Sequence, residues 1–198
     1  MILAQFQMAG HALFAQGLVS SYSGNLSIRH GDHLVITHRG STLGSIKEAD
    51  LVETGIAKNN RATPLASNEL AVHRSIYKNT SALAVVHAHP PYAVVLSFVE
   101  KEIMPCDMEG LMLLPKVPIL GREMVVRAGD LAEEIAEALK HCKVVLVHSH
   151  GSFAIGQLLE EACYYTAVLE QSCRLLYLLK ALEVNPNVKP HSPQNLSL

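Results

Sequence analysis

The segment Leu83-Ala84-Val85-Val86-His87-Ala88-His89-Pro90-Pro91 decides the fold and carries the first candidate site. Its apolar and β-branched start predicts a short buried β-strand. Side chains at positions i and i+2 of a strand lie on one face, so His87 and His89 are expected to point the same way. Pro90 and Pro91 lack the backbone N–H that a central strand needs, so the strand ends there and a helix can begin. We therefore predict a histidine pair at the rim of a sheet.

A second apolar strand, predicted over Lys143 to Val147, ends in a similar way in His148-Ser149-His150-Gly151. Imidazole nitrogens from two strand ends can converge on one divalent cation. Three such ligands leave a coordination position for a substrate or a carboxylate, as in catalytic metal sites. The predicted ligands are His87, His89 and His150. His148 is a rival ligand because it has the same i, i+2 relation to His150, and buried histidines without a metal are the alternative interpretation.

The composition excludes several classes of protein. The chain has 198 residues, of which 49% are apolar, and a formal net charge of −2, which predicts an ordered globular protein that does not bind nucleic acid. It has no apolar run long enough to span a bilayer and no basic N-terminal region typical of a secretion signal, so we expect a cytoplasmic protein with no membrane partner. Four cysteines fall in no metal or redox spacing and are interpreted as free thiols: Cys106, Cys142, Cys163 and Cys173.

The order of the remaining segments predicts the fold class. Strands are grouped early and helices are interspersed, which is typical of an α/β fold with one sheet covered by helices on both faces. We interpret residues 1–183 as a single domain and the Pro-, Asn- and Ser-rich segment 184–198 as a disordered tail. Two prolines within Leu113 to Leu120 favour an edge strand or an extended segment there. The other predicted strands are 25–29, 34–37, 50–56 and 152–155, and the predicted helices are 2–16, 67–77, 90–98, 130–140 and 158–182.

Six segments carry a further signal through their order along the chain. They are Ser23-Gly24-Asn25-Leu26-Ser27, Ile36-Thr37-His38-Arg39-Gly40, Asp50-Leu51-Val52, Ser67-Asn68-Glu69-Leu70-Ala71-Val72-His73, Val85-Val86-His87-Ala88-His89 and His148-Ser149-His150-Gly151. In this order they resemble the class II aldolase/adducin family and, within it, the fuculose-phosphate aldolases. The resemblance extends from about Phe6 to Leu182. Each segment alone would be weak, but together they are specific.

The resemblance implies a metal site and an assembly. Members of the family bind Zn²⁺ with three histidines that match His87, His89 and His150, and a glutamate that matches Glu69 completes the site. We therefore expect one divalent ion, zinc, per chain. The resemblance also implies a three-layer α/β/α sandwich with a central, mostly antiparallel sheet. It further implies a four-fold symmetric homotetramer with active sites at the subunit interfaces.

The implied reaction makes or breaks a C–C bond in a small ketose phosphate. The metal would act as a Lewis acid that stabilises the enediolate formed on cleavage. Glu69 would move the proton at the carbon next to the carbonyl. Alone, a glutamate at the start of a helix is most often an ordinary surface acid. Glu69 stands in the pattern Ser-Asn-Glu-x-x-x-His, eighteen residues before His87, and this context favours the catalytic role.

The resemblance also implies a phosphate pocket, with two departures. The family uses a small hydroxylic residue before a glycine and a pair of serines before the glutamate, whereas this chain has Arg39 and Asn68 at two of these positions. The guanidinium of Arg39 could bind phosphate through two hydrogen bonds or prefer a substrate carboxylate. Simple turns at these positions are the alternative. The predicted substrate- or phosphate-binding residues are Gly24, Asn25, Arg39, Gly40, Ser67 and Asn68.

Glu109 stands where the aldolases of the family have a tyrosine that acts on the oxygen of the leaving aldehyde in a neighbouring subunit. With a raised pKa, Glu109 could make the same proton transfer, so it is a second predicted catalytic residue. It could equally mark another reaction, such as a dehydration, or be a solvated loop acid. The tyrosine that the family has in its C-terminal tail has no counterpart after Tyr177.

Four functions therefore compete. A metal-dependent aldolase that acts on a phosphorylated sugar leads. A sugar-phosphate 4-epimerase of the same family generally has aspartate at the Glu69 position, so Glu69 favours the aldolase over the epimerase. Arg39 and Glu109 are the residues that favour a dehydratase or decarboxylase. A non-catalytic interaction module, as in the adducins, would lack the metal residues, all of which are present here.

Overall fold

The computed structural model describes residues 2–122 and 128–184, and within these ranges its strands form one sheet. The strands are β1 (Asn25–His30), β2 (His33–Thr37), β3 (Leu51–Gly55), β4 (Ala84–Ala88), β5 (Glu102–Ile103), β6 (Val117–Leu120), β7 (Val144–Val147) and β8 (Gly151–Gly156). Their order across the sheet is β3-β2-β1-β4-β8-β7-β6-β5. Neighbouring strands are antiparallel except for β6 and β7, which are parallel. This order puts β4 and β8, the strands next to the two histidine pairs, side by side at the centre.

Helices cover both faces of this sheet. They are α1 (Ile2–Ala15), α2 (Leu70–Asn79), α3 (Pro91–Ser97), α4 (Met108–Leu113), α5 (Ala132–Ala138) and α6 (Leu159–Ala181). Val86 of β4 belongs to a core that includes Phe6 of α1 and Leu169 of α6. The adjacent Val85 belongs to a second core, with Ile76 of α2. Adjacent side chains of a strand point to opposite faces, so a continuous apolar run is buried on both. The predicted α/β fold with a mostly antiparallel central sheet is confirmed.

The prediction of an edge strand or an extended segment over 113–120 is wrong, because residues 117–120 form an inner strand of the sheet. Leu113 ends α4, and β6 lies between β5 and β7 rather than at the edge of the sheet. Pro118 is accommodated because it pairs with Glu102 of β5, which is only two residues long, whereas the pairing with β7 involves Ile119 and Leu120. A proline is tolerated next to so short a strand because few ladder hydrogen bonds are needed there.

Three further predictions concern the C-terminal segment, the number of domains and the membrane. The proposed disordered tail over 184–198 lies outside the described residues except for Val184. The single domain over residues 1–183 stays a prediction. Among the described residues, no helix combines the length and apolar character that crossing a membrane requires.

Candidate metal centre

Three histidine rings meet where β4 ends and β8 begins. The two strands are antiparallel, with Ala88 opposite Ser152, so the end of β4 lies beside the turn that precedes β8. The ring centroids of His87 and His89 are 4.8 Å apart, and that of His150 is 4.9 Å from the first and 5.0 Å from the second. The predicted set of three is therefore brought together by the central pair of strands.

The ligand atoms of this cluster lie close enough together to bind one cation. They all lie within 4.8 Å of one another, and the Nε2 atoms of His87 and His89 are 2.9 Å apart. Nitrogens bound to one tetrahedral zinc ion at about 2.1 Å would be about 3.4 Å apart, which small ring rotations achieve. The Nδ1–H of His87 donates to the carbonyl oxygen of Ser152 at 3.0 Å. This leaves the Nε2 lone pair of His87 for a metal, the arrangement that orients metal-binding histidines.

Gly151 allows the two strands to meet this closely. A Cβ atom at this position would lie 2.3 Å from the carbonyl oxygen of Ala88 and 2.7 Å from Cδ2 of His89. A larger residue would therefore push β8 away from the cluster. Two residues before Gly151, between His148 and His150, Ser149 adopts a left-handed conformation with φ of 56°. That conformation is uncommon for residues other than glycine, and here it turns the chain between the two histidines.

The same turn separates His148 from the cluster. The Nδ1–H of His148 donates to the carbonyl oxygen of Ser97 at 3.0 Å, and its ring packs edge-on against Phe98. Its i, i+2 relation to His150 would place both rings on one face only in an extended strand, which the left-handed Ser149 interrupts. Within the described residues, His148 is therefore not part of the metal cluster.

Glu69 provides a carboxylate next to the histidines. It immediately precedes α2, and its backbone N–H donates to the Ser67 hydroxyl at 3.2 Å. Its Oε1 is 3.9 Å from Nε2 of His150. Its Oε2 is buried and has no hydrogen-bond partner among the described residues. A buried carboxylate oxygen without a partner is costly, and a cation at the histidine cluster would satisfy it. The residues present thus fit a divalent metal.

Burial sets the charge states of the cluster. It raises the pKa of Glu69 from 4.5 to about 7. It lowers the pKa of His89 to about 4, with a further decrease from the charge of His150. The pKa of His87 lies well below its usual value, mainly through burial and then through the charges of His89 and His150. These rings are therefore neutral near pH 7, as metal ligands must be.

Metal-free protein is expected to lose stability as the pH falls from about 6.5 to about 4.5. An unfolded chain binds protons on its histidines near 6.5, whereas the folded chain binds one on His89 only near pH 4. In this window the unfolded state binds more protons, so the free energy of unfolding falls with the pH. The raised pKa of Glu69 has the opposite effect on stability. Burial lowers the pKa of His73 to about 3, and the pKa of His87 is also lowered, so both histidines add to the loss of stability that His89 causes.

Urea unfolding of the chelated protein across this pH range measures the effect. His89→Ala should make the dependence shallower, because one of the shifted groups is removed. A free energy of unfolding that stays constant or rises towards the acid side would contradict the assignment of neutral, buried histidines.

A cleft of about 220 Å³ opens beside the cluster. It is lined by all six predicted substrate-binding residues together with Glu69 and the three histidines. Gly24 and Gly40 have φ values of 78° and 80°, a region that favours glycine, and a Cβ at Gly24 would lie 2.8 Å from the His87 carbonyl oxygen. Sequence reasoning did not assign three further residues that line this cleft: Tyr22, Ser23 and His38.

Glu109 does not lie in this cleft. It is exposed on α4, where the Tyr164 hydroxyl donates to its Oε1 at 2.5 Å. Both residues line a separate cavity of about 550 Å³ beside α6. The described chain by itself therefore does not bring Glu109 to the metal cluster.

Sequence reasoning also assigned no role to His73, which is completely buried behind the cleft. Its Nε2 lies 2.6 Å from Oδ1 of Asn25, a predicted substrate-binding residue. The spacing Ser-Asn-Glu-x-x-x-His already singled out His73. A position four residues after Glu69 lies on the same side of a helix, and that signal could have connected it to the site.

Comparisons with known proteins agree with this geometry. The family described as "Class II Aldolase and Adducin N-terminal domain" matches residues 4–177. An L-fuculose phosphate aldolase of Methanococcus maripaludis is 30% identical over 92% of this chain and 100% of its own. A 3-oxo-tetronate 4-phosphate decarboxylase of Escherichia coli O6:H1 is 28% identical over 85% of this chain and 82% of its own.

A solved structure gives the same result for the fold. The L-fuculose-1-phosphate aldolase of Thermus thermophilus superimposes with a TM-score of 0.85 and is 34% identical. The match covers 96% of this chain and 98% of that one. The similarity therefore includes the sheet, both helical layers and the segments around the cluster.

Proposed function

The chain belongs to the class II aldolase and adducin N-terminal domain family, and from this premise we propose that it is a metal-dependent aldolase. It would cleave or form a C–C bond in a small ketose phosphate similar to fuculose 1-phosphate. The observation that carries this proposal is the cluster of His87, His89 and His150 with the buried carboxylate of Glu69 beside it. An adducin-like interaction module has no use for such a set of metal-binding groups.

The histidine cluster and Glu69 each have a role in this reaction. The three neutral imidazoles would hold one divalent ion, which we propose is zinc. When bound, that ion would supply Lewis-acid polarisation of the carbonyl and hydroxyl oxygens of the substrate. Glu69 moves the proton at the carbon next to the carbonyl. Because burial raises its pKa to about 7, both of its protonation states are accessible near neutral pH, as reversible proton transfer requires.

The other end of the cleft would bind the phosphate group. Gly24 and Gly40 let the backbone approach an anion closely. Ser67 and Asn68 lie just before α2, and the backbone N–H of Asn68 has no partner among the described residues. Arg39 is the positively charged side chain at this end of the cleft, and it forms no ion pair among the described residues. An unpaired guanidinium beside the cleft suits a substrate with a negative charge.

We further propose that the active protein is a cytoplasmic homotetramer in which Glu109 reaches the cleft of a neighbouring subunit. The exposed methionines Met108 and Met112, both 78% exposed, flank Glu109 on α4 and provide an apolar surface for such an interface. In this arrangement Glu109, linked to Tyr164, would transfer the proton for which the aldolases of the family use a tyrosine.

A decarboxylase is the second candidate function. It is favoured by Arg39, whose guanidinium can bind a substrate carboxylate, and by the similarity to the E. coli decarboxylase. Glu69 would then move a proton at the carbon that loses CO₂. The two reactions share the metal site and differ in the group that leaves.

A retro-aldol assay tests the proposal. Metal-loaded protein is given a panel of ketose 1-phosphates, and release of dihydroxyacetone phosphate is detected with and without a chelator. Chelator-sensitive release of the triose is the expected result. No release from folded protein that holds its metal would remove the aldolase and favour the decarboxylase, which is then assayed with 3-oxo acid phosphates.

Arg39→Ala is expected to raise KM for phosphorylated substrates about tenfold or more and to leave KM for unphosphorylated analogues nearly unchanged, because the charged hydrogen bonds to phosphate are lost. Steady-state kinetics on matched substrate pairs measures this. Arg61→Ala is the matched control, since Arg61 is exposed and does not line the cleft. An equal rise in KM for both kinds of substrate would show that Arg39 does not recognise phosphate.

A further inference from the structure

A chain of buried polar side chains runs from α2 to the cleft. Nε2 of His73 lies 2.6 Å from Oδ1 of Asn25, and Nδ1 of His73 lies 2.6 Å from Oγ of Ser27. Oγ of Ser27 is in turn 2.7 Å from the hydroxyl of Tyr77. Each of the four residues is at most 5% exposed. These polar atoms cannot exchange partners with water, so the protons must be arranged within the chain.

Tyr77 determines the direction of the hydrogen bonds. Burial raises the pKa of Tyr77, so the Tyr77 hydroxyl keeps its proton. Among the described residues, the acceptor for this hydroxyl is Oγ of Ser27. The Ser27 hydroxyl accepts this bond and donates its own proton to Nδ1 of His73. The neutral His73 ring then carries its proton on Nε2 and donates it to Oδ1 of Asn25. The opposite direction would leave the O–H of Tyr77 buried without an acceptor, which is costly.

The direction of these bonds decides which end of the Asn25 carboxamide is free. Oδ1 is held by His73, and the described residues supply no partner for Nδ2. Asn25 lines the cleft beside Gly24 and Arg39. An amide N–H group attracts an anionic oxygen, whereas a carbonyl oxygen repels it. A rotated carboxamide would therefore weaken anion binding even though it would occupy the same space.

We propose that His73 is a positioning residue for the substrate's anionic group: as its Nε2–H tautomer it holds Oδ1 of Asn25, so that Nδ2 donates to an anionic oxygen in the cleft. This inference rests on the proposed function, because it concerns the phosphate end of the same site. It adds a residue that does not touch the substrate and acts through Asn25. A purely structural role, in which the chain only fills the core, is the competing explanation.

The tautomer can be measured directly in the protein without any substitution. Nitrogen-15 NMR of the histidine side chains in the metal-loaded protein distinguishes a protonated from an unprotonated ring nitrogen. For His73 we expect a proton on Nε2 and none on Nδ1. A proton on Nδ1 would overturn the proposal. Because this measurement needs no variant of His73, it tests the proposed tautomer even if such a variant does not fold.

A double-mutant cycle separates positioning from a structural role. The probe is inorganic phosphate, with its Kd measured by calorimetry on metal-loaded protein for wild type, His73→Phe, Asn25→Ala and the double variant. Phosphate held by the metal alone would be retained in Asn25→Ala, so the affinity lost in that variant measures the part that depends on the carboxamide. We expect each single variant to weaken binding about tenfold, because each removes the oriented donor. The double variant should bind no more weakly than Asn25→Ala alone.

The outcomes also separate this inference from the proposed function. Additive losses in the double variant, or no phosphate binding by wild type, would overturn the role of His73. If the tautomer and the non-additivity are as expected but no ketose phosphate is cleaved, the aldolase proposal fails and the anion-positioning role of His73 stands.

Discussion

His87→Ala is expected to lose nearly all bound metal, with affinity reduced by more than about 100-fold and activity reduced in parallel. Mutating even the groups that orient a metal ligand costs about 10- to 100-fold in affinity, so loss of a ligand should cost more. His87 is the most buried of the three rings, and it is the one oriented by the carbonyl of Ser152. Metal content after dialysis, measured by inductively coupled plasma mass spectrometry, gives the result directly.

His148→Ala is the matched control for this experiment. This substitution removes the same type of side chain from the turn that carries His150. The His148 ring, however, is hydrogen-bonded to the carbonyl oxygen of Ser97 and lies outside the cluster. The variant should therefore keep about one ion per chain. Since His87 is buried and its loss could disturb folding, His150→Ala, which removes a partly exposed ring, should reproduce the loss of metal. Full metal retention in the triple variant of His87, His89 and His150 would refute the site.

Much of this site could be predicted from local sequence patterns. A run of apolar residues followed by two prolines predicted β4 with a histidine pair at its end. The helix predicted over 67–77 overlaps α2, which begins only at Leu70, directly after Glu69. These features depend on the alternation of side chains in strands and on the backbone limits of proline, which act over a few residues. The arrangement of the strands is not local. That β8 lies between β4 and β7, and so brings His150 to His87, follows from how the whole sheet packs.

The predictions that were wrong or incomplete depend on features that the simple local patterns do not specify. His148 was a rival ligand only on the assumption of an extended chain, which the left-handed Ser149 breaks. The edge strand was predicted from its prolines, but Pro118 is tolerated because its neighbour β5 is so short. The burial of His73 depends on packing between α2 and the sheet. A role for Glu109 depends on a second chain, so no pattern within one chain could establish it.

Glu69→Gln is expected to keep the metal and to lower kcat by about 10²- to 10⁴-fold, the usual contribution of a positioned acid or base. Glutamine has almost the shape of glutamate, so the cleft and the histidine cluster should be preserved, but it cannot exchange a proton at neutral pH. In wild type, activity in the condensation direction should fall as the pH decreases through the pKa of Glu69, because the ionised form is the base.

Burial alone puts the pKa of Glu69 at about 7, and the positive charge of a bound ion favours the carboxylate, so that decrease should occur below neutral pH. The residual activity of the variant should lack this limb of the pH profile. Glu134→Gln is the matched control, since Glu134 is an exposed glutamate of α5 that does not line the cleft. Metal content measured on the same samples separates the two roles of Glu69. Unchanged kcat would exclude it as the acid or base, whereas loss of metal together with kcat would make it chiefly a ligand.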